Sequence, residues 1–307
     1  MNPARLRSYI MLFVVAIIWG VASPVIKYTL QGFSAEVFLT YRFAISTVVA
    51  IIIFAFSGIH FPKDLNTLFL IVLYGFLNSV VSLGFLFFGM ENTTVLEAGL
   101  ITLASPLLVS TAGVYFLHEH ITKREKIGMG VAILGTILTI AGPLITNGQS
   151  EIKFSGNLMV LGYVISTLIT TLLVKKLLKK DISPMILTNF SFIIGFICLA
   201  SYMLLTNPSN LLTIFSAPSE YHLGVLYMAI ISGNLAFYLS NKAQKSIEIG
   251  EQSLFSYLYP LFSLPLAVLW LGEKITLIHV LGGIIIIIGV TVAEIKKKRY
   301  NSTSKGS

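Results

Sequence analysis

Apolar runs of about 20 residues, the length that crosses a bilayer as a helix, alternate with short polar breaks along the whole chain. Ten such windows can be drawn, at residues 9–28, 36–57, 66–88, 95–117, 126–146, 155–174, 185–206, 222–240, 249–271 and 277–294. Little of the chain lies outside them, which leaves no room for a soluble catalytic domain. The pattern predicts an all-α integral membrane protein with ten transmembrane helices.

The windows are not independent of one another. The stretch from Glu97 to Gly135 returns without a gap as Glu251 to Gly289, at a constant offset of 154 and with 12 identities over 39 positions. Glu97 falls on Glu251, Pro106 on Pro260, Glu119 on Glu273, Thr122 on Thr276 and Gly128 on Gly282. A fainter match at offset 148 places Lys27 on Lys175 and Leu39-Thr40 on Leu187-Thr188, whereas Arg42 falls on Phe190 and Trp19 on Thr167. The chain thus divides at a polar joint, NGQSEIKFSG from Asn147, into repeats at 1–147 and 148–299, with a tail at 300–307. Five spans is an odd number, so two copies joined head to tail cross the membrane in opposite directions. Such inverted repeats place a solute site near mid-membrane, between the halves and beside interrupted helices.

Composition agrees with this reading: 55% of residues are hydrophobic, 11% are charged and the mean hydropathy is +0.87. Soluble domains carry about 25% charged residues. The net charge of +8 does not call for nucleic acid. With the N-terminus inside the cell, 17 of the 21 Lys and Arg fall on the inner side, as cytoplasmic loops retain them. Both termini are then cytoplasmic in a multi-pass protein of the cell membrane, and the basic tail is a topology anchor. Arg5 and Arg7 before the first apolar run mark an uncleaved span rather than a signal peptide. Cys198, the only cysteine, excludes a disulfide.

Polar groups inside the windows are the candidate chemistry. Span 1 carries Trp19, Ser23, Pro24 and Lys27. Arg42 sits about two turns inside span 2, where an unpaired arginine at mid-depth costs at least about 2.5–3.5 kcal/mol. Pairing with Glu36, snorkelling to the interface or a place on the solute path would each compensate it. Span 3 has a stripe of Gly75, Asn78, Ser79 and Ser82, suited to close packing or to a wet cavity. Ser105-Pro106 interrupts span 4, and span 9 is the most broken, with Ser256, Tyr257, Tyr259, Pro260 and Pro265. Span 8 adds Ser232, Asn234 and Tyr238. Glycines 128, 130 and 135 in span 5, like 282, 283 and 289 in span 10, predict close helix approach, and Thr122 with Glu125 has the spacing of a capping box.

Trp19-Gly20 with Lys27, Arg42-Phe43, the Pro106 and Pro260 spans, and the Glu-x-Ile-Thr junctions at Glu119 and Glu273 resemble the paired EamA repeats of the drug/metabolite transporter superfamily. The resemblance implies ten helices around a central cavity, and export or import of amino acids, other metabolites, sugars or drugs. Expected on the substrate path are Trp19, Ser23, Lys27, Arg42, Asn78, Ser82, Ser105, Pro106, Asn234, Tyr238, Ser256, Tyr257, Tyr259 and Pro260. Glu97 with Lys27 and Glu251 with Lys175 are expected as symmetry-related pairs at the two mouths, acting as gate or coupling groups. Glu119 and Glu273 are expected to satisfy the amides that open spans 5 and 10.

His118, Glu119 and His120 do not make a metal cluster, because residues two apart on a helix diverge. The only aspartates, Asp64 and Asp181, lie in loops, which argues against an intramembrane enzyme. No cofactor is expected. The expected partners are a small-molecule substrate, the lipid bilayer and a proton or counter-substrate, with the protein a monomer or homodimer. Span 1 has a lysine and no acid, which disfavours cation–proton exchange. Lys27 and Arg42 suit an anionic solute and the aromatics an amphipathic one, so the reading is export of an amino acid or related metabolite. Multidrug efflux and exchange of a phosphorylated or sugar metabolite are the alternatives.

Overall fold

The computed structural model describes residues 3–57, 62–109, 112, 123–145 and 150–294, and all regular structure among them is helical. In chain order the main helices are α1 (Pro3–Thr29), α2 (Ala35–Ser57), α3 (Leu65–Asn92), α4 (Val95–Val109), α5 (Lys123–Ile145), α6 (Ser150–Lys179), α7 (Pro184–Thr206), α8 (Ser219–Gln244), α9 (Ile249–Leu269) and α10 (Leu277–Glu294). Seven are long and apolar enough to cross a membrane, and α4, α5 and α10 contribute shorter apolar stretches. The protein is therefore a multi-pass membrane protein. His118, Glu119, His120, Thr122 and the tail from Ile295 lie outside the described residues, as does the side chain of Glu125.

Burial runs opposite to that of a soluble protein. Large apolar side chains such as Phe56, Leu205 and Ile288 are exposed around the belt, while Ser79, Thr188, Asn189, Ser191 and Asn157 are fully enclosed. Lipid gains nothing by exchanging one apolar contact for another, so small and polar residues concentrate where helices meet. The apolar part of the core is aromatic, with Phe38 edge-on to Phe87 at 4.9 Å and Phe43 stacked on Phe192 at 5.7 Å.

Helix starts follow local chemistry. Asp64 caps α3, accepting from the Asn66 and Thr67 amides at 3.3 and 3.1 Å and from the Thr67 hydroxyl at 2.7 Å. These bonds, the Thr67 hydroxyl foremost, hold its carboxyl below the usual range. Ser183 caps α7 ahead of Pro184 in the first turn, where a proline costs no hydrogen bond.

Four helices are irregular inside. α3 widens to π geometry over Phe76–Ser82 and α8 over Tyr227–Leu235. α4 is interrupted by a turn at residues 103–104, and α9 tightens to a 3₁₀ turn over Phe255–Leu258. Each of these last two breaks ends just before a proline, Pro106 or Pro260, which has no N–H to give the carbonyl four residues back.

The glycine-rich helices α5 and α10 pack on each other. A Cβ on Gly135 would stand 2.9 Å from the Gly282 carbonyl oxygen, and one on Gly289 would stand 2.6 Å from that of Gly128 and 2.4 Å from the Ala132 nitrogen. The offset of 154 exchanges these two contacts, so the interface is self-complementary. Gly130 faces open space. Gly289→Val is therefore expected to cost about 1–3 kcal/mol by overpacking, and Gly130→Ala to be neutral. Thermal unfolding of the two purified variants checks this, and equal midpoints would contradict the packing.

Candidate functional site

Two adjoining cavities of about 130 and 120 Å³ lie at the centre of the bundle and share Trp19, Asn78, Thr102, Tyr163, Thr167, Phe237 and Tyr259 on their walls. Each is roughly ten times the space one water requires. The first extends from these shared walls to Leu12, Gln244 and Ile249, towards the Arg5 end of α1, and the second to Ile26 and Leu86, towards the Lys27 end.

Trp19 stands where the cavities meet. Its indole Nε1 donates to the Ser232 carbonyl at 3.1 Å, inside the π segment of α8, and its ring meets Phe237 and Tyr259 edge-on at 5.1 and 6.0 Å. The next residue must be small, because a Cβ on Gly20 would lie 2.9 Å from the Tyr259 carbonyl oxygen of α9. The same π segment is held from α2 by Ser46, whose hydroxyl donates to Ala229 at 3.1 Å. Widened turns at functional sites release carbonyls in this way, and here side chains of neighbouring helices take them up.

The cavity walls follow the repeat. Offsets of 148 and 154 carry Ser23 to Thr171, Ile26 to Val174, Leu86 to Ser240, Ala98 to Gln252 and Gly99 to Ser253. In each of these pairs the first residue lines the second cavity and its mate lines the first. Trp19 and Thr167, matched at 148, both line both. The two half-cavities differ in chemistry. At three matched positions the second cavity presents Leu86, Ala98 and Gly99, where the first presents Ser240, Gln252 and Ser253, so the second is the less polar of the two.

Of the residues singled out from the sequence, Trp19, Ser23, Arg42, Asn78, Ser82, Ser105, Ser256, Tyr259 and Pro260 line the cavities. Pro106, Asn234, Tyr238 and Tyr257 do not line these two cavities. Asn234 gives its amide to Asn189 Oδ1 at 2.8 Å and to the Ser46 carbonyl at 3.3 Å, and the Tyr238 ring lies 5.3 Å from the Lys242 ammonium. Tyr163, Thr167 and Phe237 went unmarked as path residues because nothing sets them apart inside uniformly apolar windows. For Thr167 a signal existed in its alignment with Trp19.

The expected mouth pairs are not formed. Lys27 donates to the carbonyls of Met90 and Glu91 at 2.9 and 3.2 Å, at the end of α3. Lys175 donates to those of Gln244 and Ile247 at 2.8 and 2.6 Å, at the end of α8. Met90 and Gln244 are 154 apart, so both lysines make one contact built twice. A cation at a helix C-terminus satisfies orphan carbonyls and favours the helix dipole. Glu97 instead accepts from the Thr93 hydroxyl at 2.7 Å and lies 3.5 Å from His279 Nε2, while Glu251 pairs with Arg5 and takes the Tyr9 hydroxyl at 3.4 Å. Arg42 neither pairs with Glu36, which accepts from Asn210 at 3.1 Å, nor snorkels, being 1% exposed.

Glu273 satisfies a helix start, though not the expected one. Its carboxylate accepts from the Val95 and Leu96 amides at 2.7 and 2.9 Å, which open α4 rather than α10. Thr94 caps the third amide of that turn, from Glu97, at 3.1 Å. α10 is opened by Thr276 and His279, which exchange side-chain and backbone bonds at 3.2 and 3.3 Å.

A family model described as the EamA-like transporter family matches residues 6–141 and 154–294. The chain belongs to that family. Among relatives, "Uncharacterized transporter YetK" of Bacillus subtilis (strain 168) is 27% identical over 84% of this chain and 78% of its own. "Uncharacterized transporter YyaM" of the same organism is 24% identical over 99% of both. A protein named "Probable amino-acid metabolite efflux pump" from Salmonella typhimurium is 25% identical over 94% of this chain and 95% of its own. A solved structure titled only "Crystal structure of protein" shares the fold, with a TM-score of 0.66 at 16% identity over 94% of this chain and 96% of that one.

Burial, the largest influence, holds the Glu273 carboxyl above the usual carboxylate range despite the two amides and Lys27. A raised acid contributes stability in full below its unfolded value, and loses it as pH rises through the folded one. Glu273→Gln is expected to remove that part of the pH dependence of unfolding. Glu273→Ala, which strands two amides, is expected to cost about 1–3 kcal/mol at all pH values. Thermal unfolding between pH 4 and 8 separates the three proteins.

Proposed function

We propose that this EamA-like protein is a secondary transporter of the cell membrane that exports a small amphipathic metabolite, an amino acid or a related compound, by alternating access. The observation that carries the proposal is the exchange of cavity walls by the repeat: at Thr171, Val174, Ser240, Gln252 and Ser253 the half-cavity at the Arg5 end is matched by Ser23, Ile26, Leu86, Ala98 and Gly99 at the Lys27 end. Two five-helix halves, residues 1–147 and 148–299, inverted with respect to each other and with both termini cytoplasmic, account for that exchange. Rocking one half against the other would then open each half-cavity in turn. The matched π segments, the matched Pro-preceded breaks and the matched lysine contacts support the same reading. The character of the solute is read from the walls, less polar on one side, richer in hydroxyl and amide groups on the other, with aromatic rings between them. The printed name of the Salmonella relative agrees with it.

Extracellular metabolites compared between a deletion strain and an overexpressing strain test the proposal. Overexpression is expected to raise the external level of at least one amphipathic amino acid or close derivative several-fold. Trp19→Ala, which empties the junction of the cavities, is expected to lower that export about tenfold or more at equal membrane abundance. Unchanged amino acids together with altered sensitivity to a cationic drug would replace this reading with multidrug efflux.

A further inference from the structure

We infer that Arg42 is the docking point for a carboxylate on the transported solute, an inference that rests on the transport reading and names its substrate class. Arg42 is the largest fully buried side chain among the described residues, and it lines the second cavity. None of its three guanidinium nitrogens has a hydrogen-bond partner among the described residues. Two further donors on the same cavity wall, Asn78 Nδ2 and the Ser82 hydroxyl, are equally unmet. Buried polar groups are almost always paired, so a cluster of orphans marks a missing partner.

The described residues do not supply that partner. Glu36 is engaged by Asn210, Glu91 by the Ala35 amide at 3.3 Å, and Glu97 by Thr93 and His279. What surrounds the guanidinium is aromatic, with Phe87, Phe43 and Phe192 centred 5.2, 5.4 and 5.9 Å from its central carbon. Ring faces hold the cation in the bundle without consuming its in-plane donors. The fork is thus fixed, charged and free.

The chemistry selects the ligand. A guanidinium fork matches the two coplanar oxygens of a carboxylate. The site holds one positive charge, and its repeat counterpart, Phe190, adds none. Lys27, a cation of the neighbouring α1, is committed to the Met90 and Glu91 carbonyls. A monoanion is therefore balanced, and a phosphate dianion would leave a charge uncompensated. The remaining wall, with Ala22, Ile26, Leu86 and Met228, receives an apolar body.

Trp19 lines the same cavity and is one of only two tryptophans, so it reports occupancy directly. In full-length Trp270→Phe protein in nanodiscs, its fluorescence is to be titrated with L-leucine, 4-methylpentanoate, inorganic phosphate and the carboxamides of the two carboxylates. At least one carboxylate is expected to saturate, with its amide at least tenfold weaker and phosphate without effect. Arg42→Lys, which keeps the charge and loses the fork, is expected to weaken that carboxylate at least tenfold, and Arg42→Gln to abolish the preference for it over its amide. Saturation by neither carboxylate, equal response to acid and amide, saturation by phosphate, or undiminished binding by folded Arg42→Lys would each overturn the inference. Where Arg42→Gln does not fold, the lysine variant decides. The metabolite comparison distinguishes the two levels: export of a compound without a carboxylate leaves the transport reading standing and removes this one.

Discussion

Hydrocarbon offers no hydrogen bonds, so every polar group that this chain carries into the bilayer must find its partner within the protein. Regular helix solves the problem for most of the backbone, and the structure is organised around the places where helix is given up. At the ends of α3 and α8 the freed carbonyls are met by Lys27 and Lys175. At the start of α4 the freed amides are met by Glu273 and Thr94. Inside α8 the Ala229 and Ser232 carbonyls are met by Ser46 and Trp19. All but Thr94 draw a side chain from elsewhere in the fold, so the accounting that keeps the backbone satisfied also fixes how the bundle is assembled. Arg42, with Asn78 Nδ2 and the Ser82 hydroxyl on the same cavity wall, departs from this rule among the described residues; it is charged and enclosed, with aromatic faces in place of acceptors.

The same accounting explains why the duplication persists in the structure where it has faded from the sequence. Contacts that satisfy backbone depend on position and not on neighbouring side chains, so the lysine contact and the Pro-preceded breaks survive in both halves. Side chains that face the cavities are not needed to satisfy backbone at these positions, and they are free to diverge. Leu86 and Ser240 occupy matched positions with opposite polarity, as do Ala98 and Gln252.

Much of this was legible beforehand. Apolar runs gave the spans, because a bilayer fixes their length, and the offset of 154 gave the matched prolines and the glycine faces of α5 and α10. The alignment of Lys27 with Lys175 was also visible, yet it suggested carboxylate partners, since opposite charge is the only partner that sequence displays. A backbone carbonyl has no letter of its own. Glu273 was read correctly as an amide acceptor and assigned to its neighbour in sequence, whereas α4 reaches it through tertiary packing. The π segments left no trace, because an inserted residue in a helix turn alters no composition. Tyr163 and Phe237 were hidden for a related reason: in an apolar window, the residue facing a cavity and the residue facing lipid look alike.

The unlike half-cavities have a kinetic consequence. If the solute moves uncoupled, detailed balance requires kcat/KM to be equal in both directions, whatever the walls are made of. It does not require equal KM. Under the proposed alternating access, a more polar vestibule on one side and a less polar one holding Arg42 on the other would let the two half-saturation concentrations differ widely, so that such a carrier would saturate early from one face and stay responsive from the other. It would be a rectifier of rate and not of equilibrium, and the divergence of Leu86 from Ser240 is where that rectification would be written.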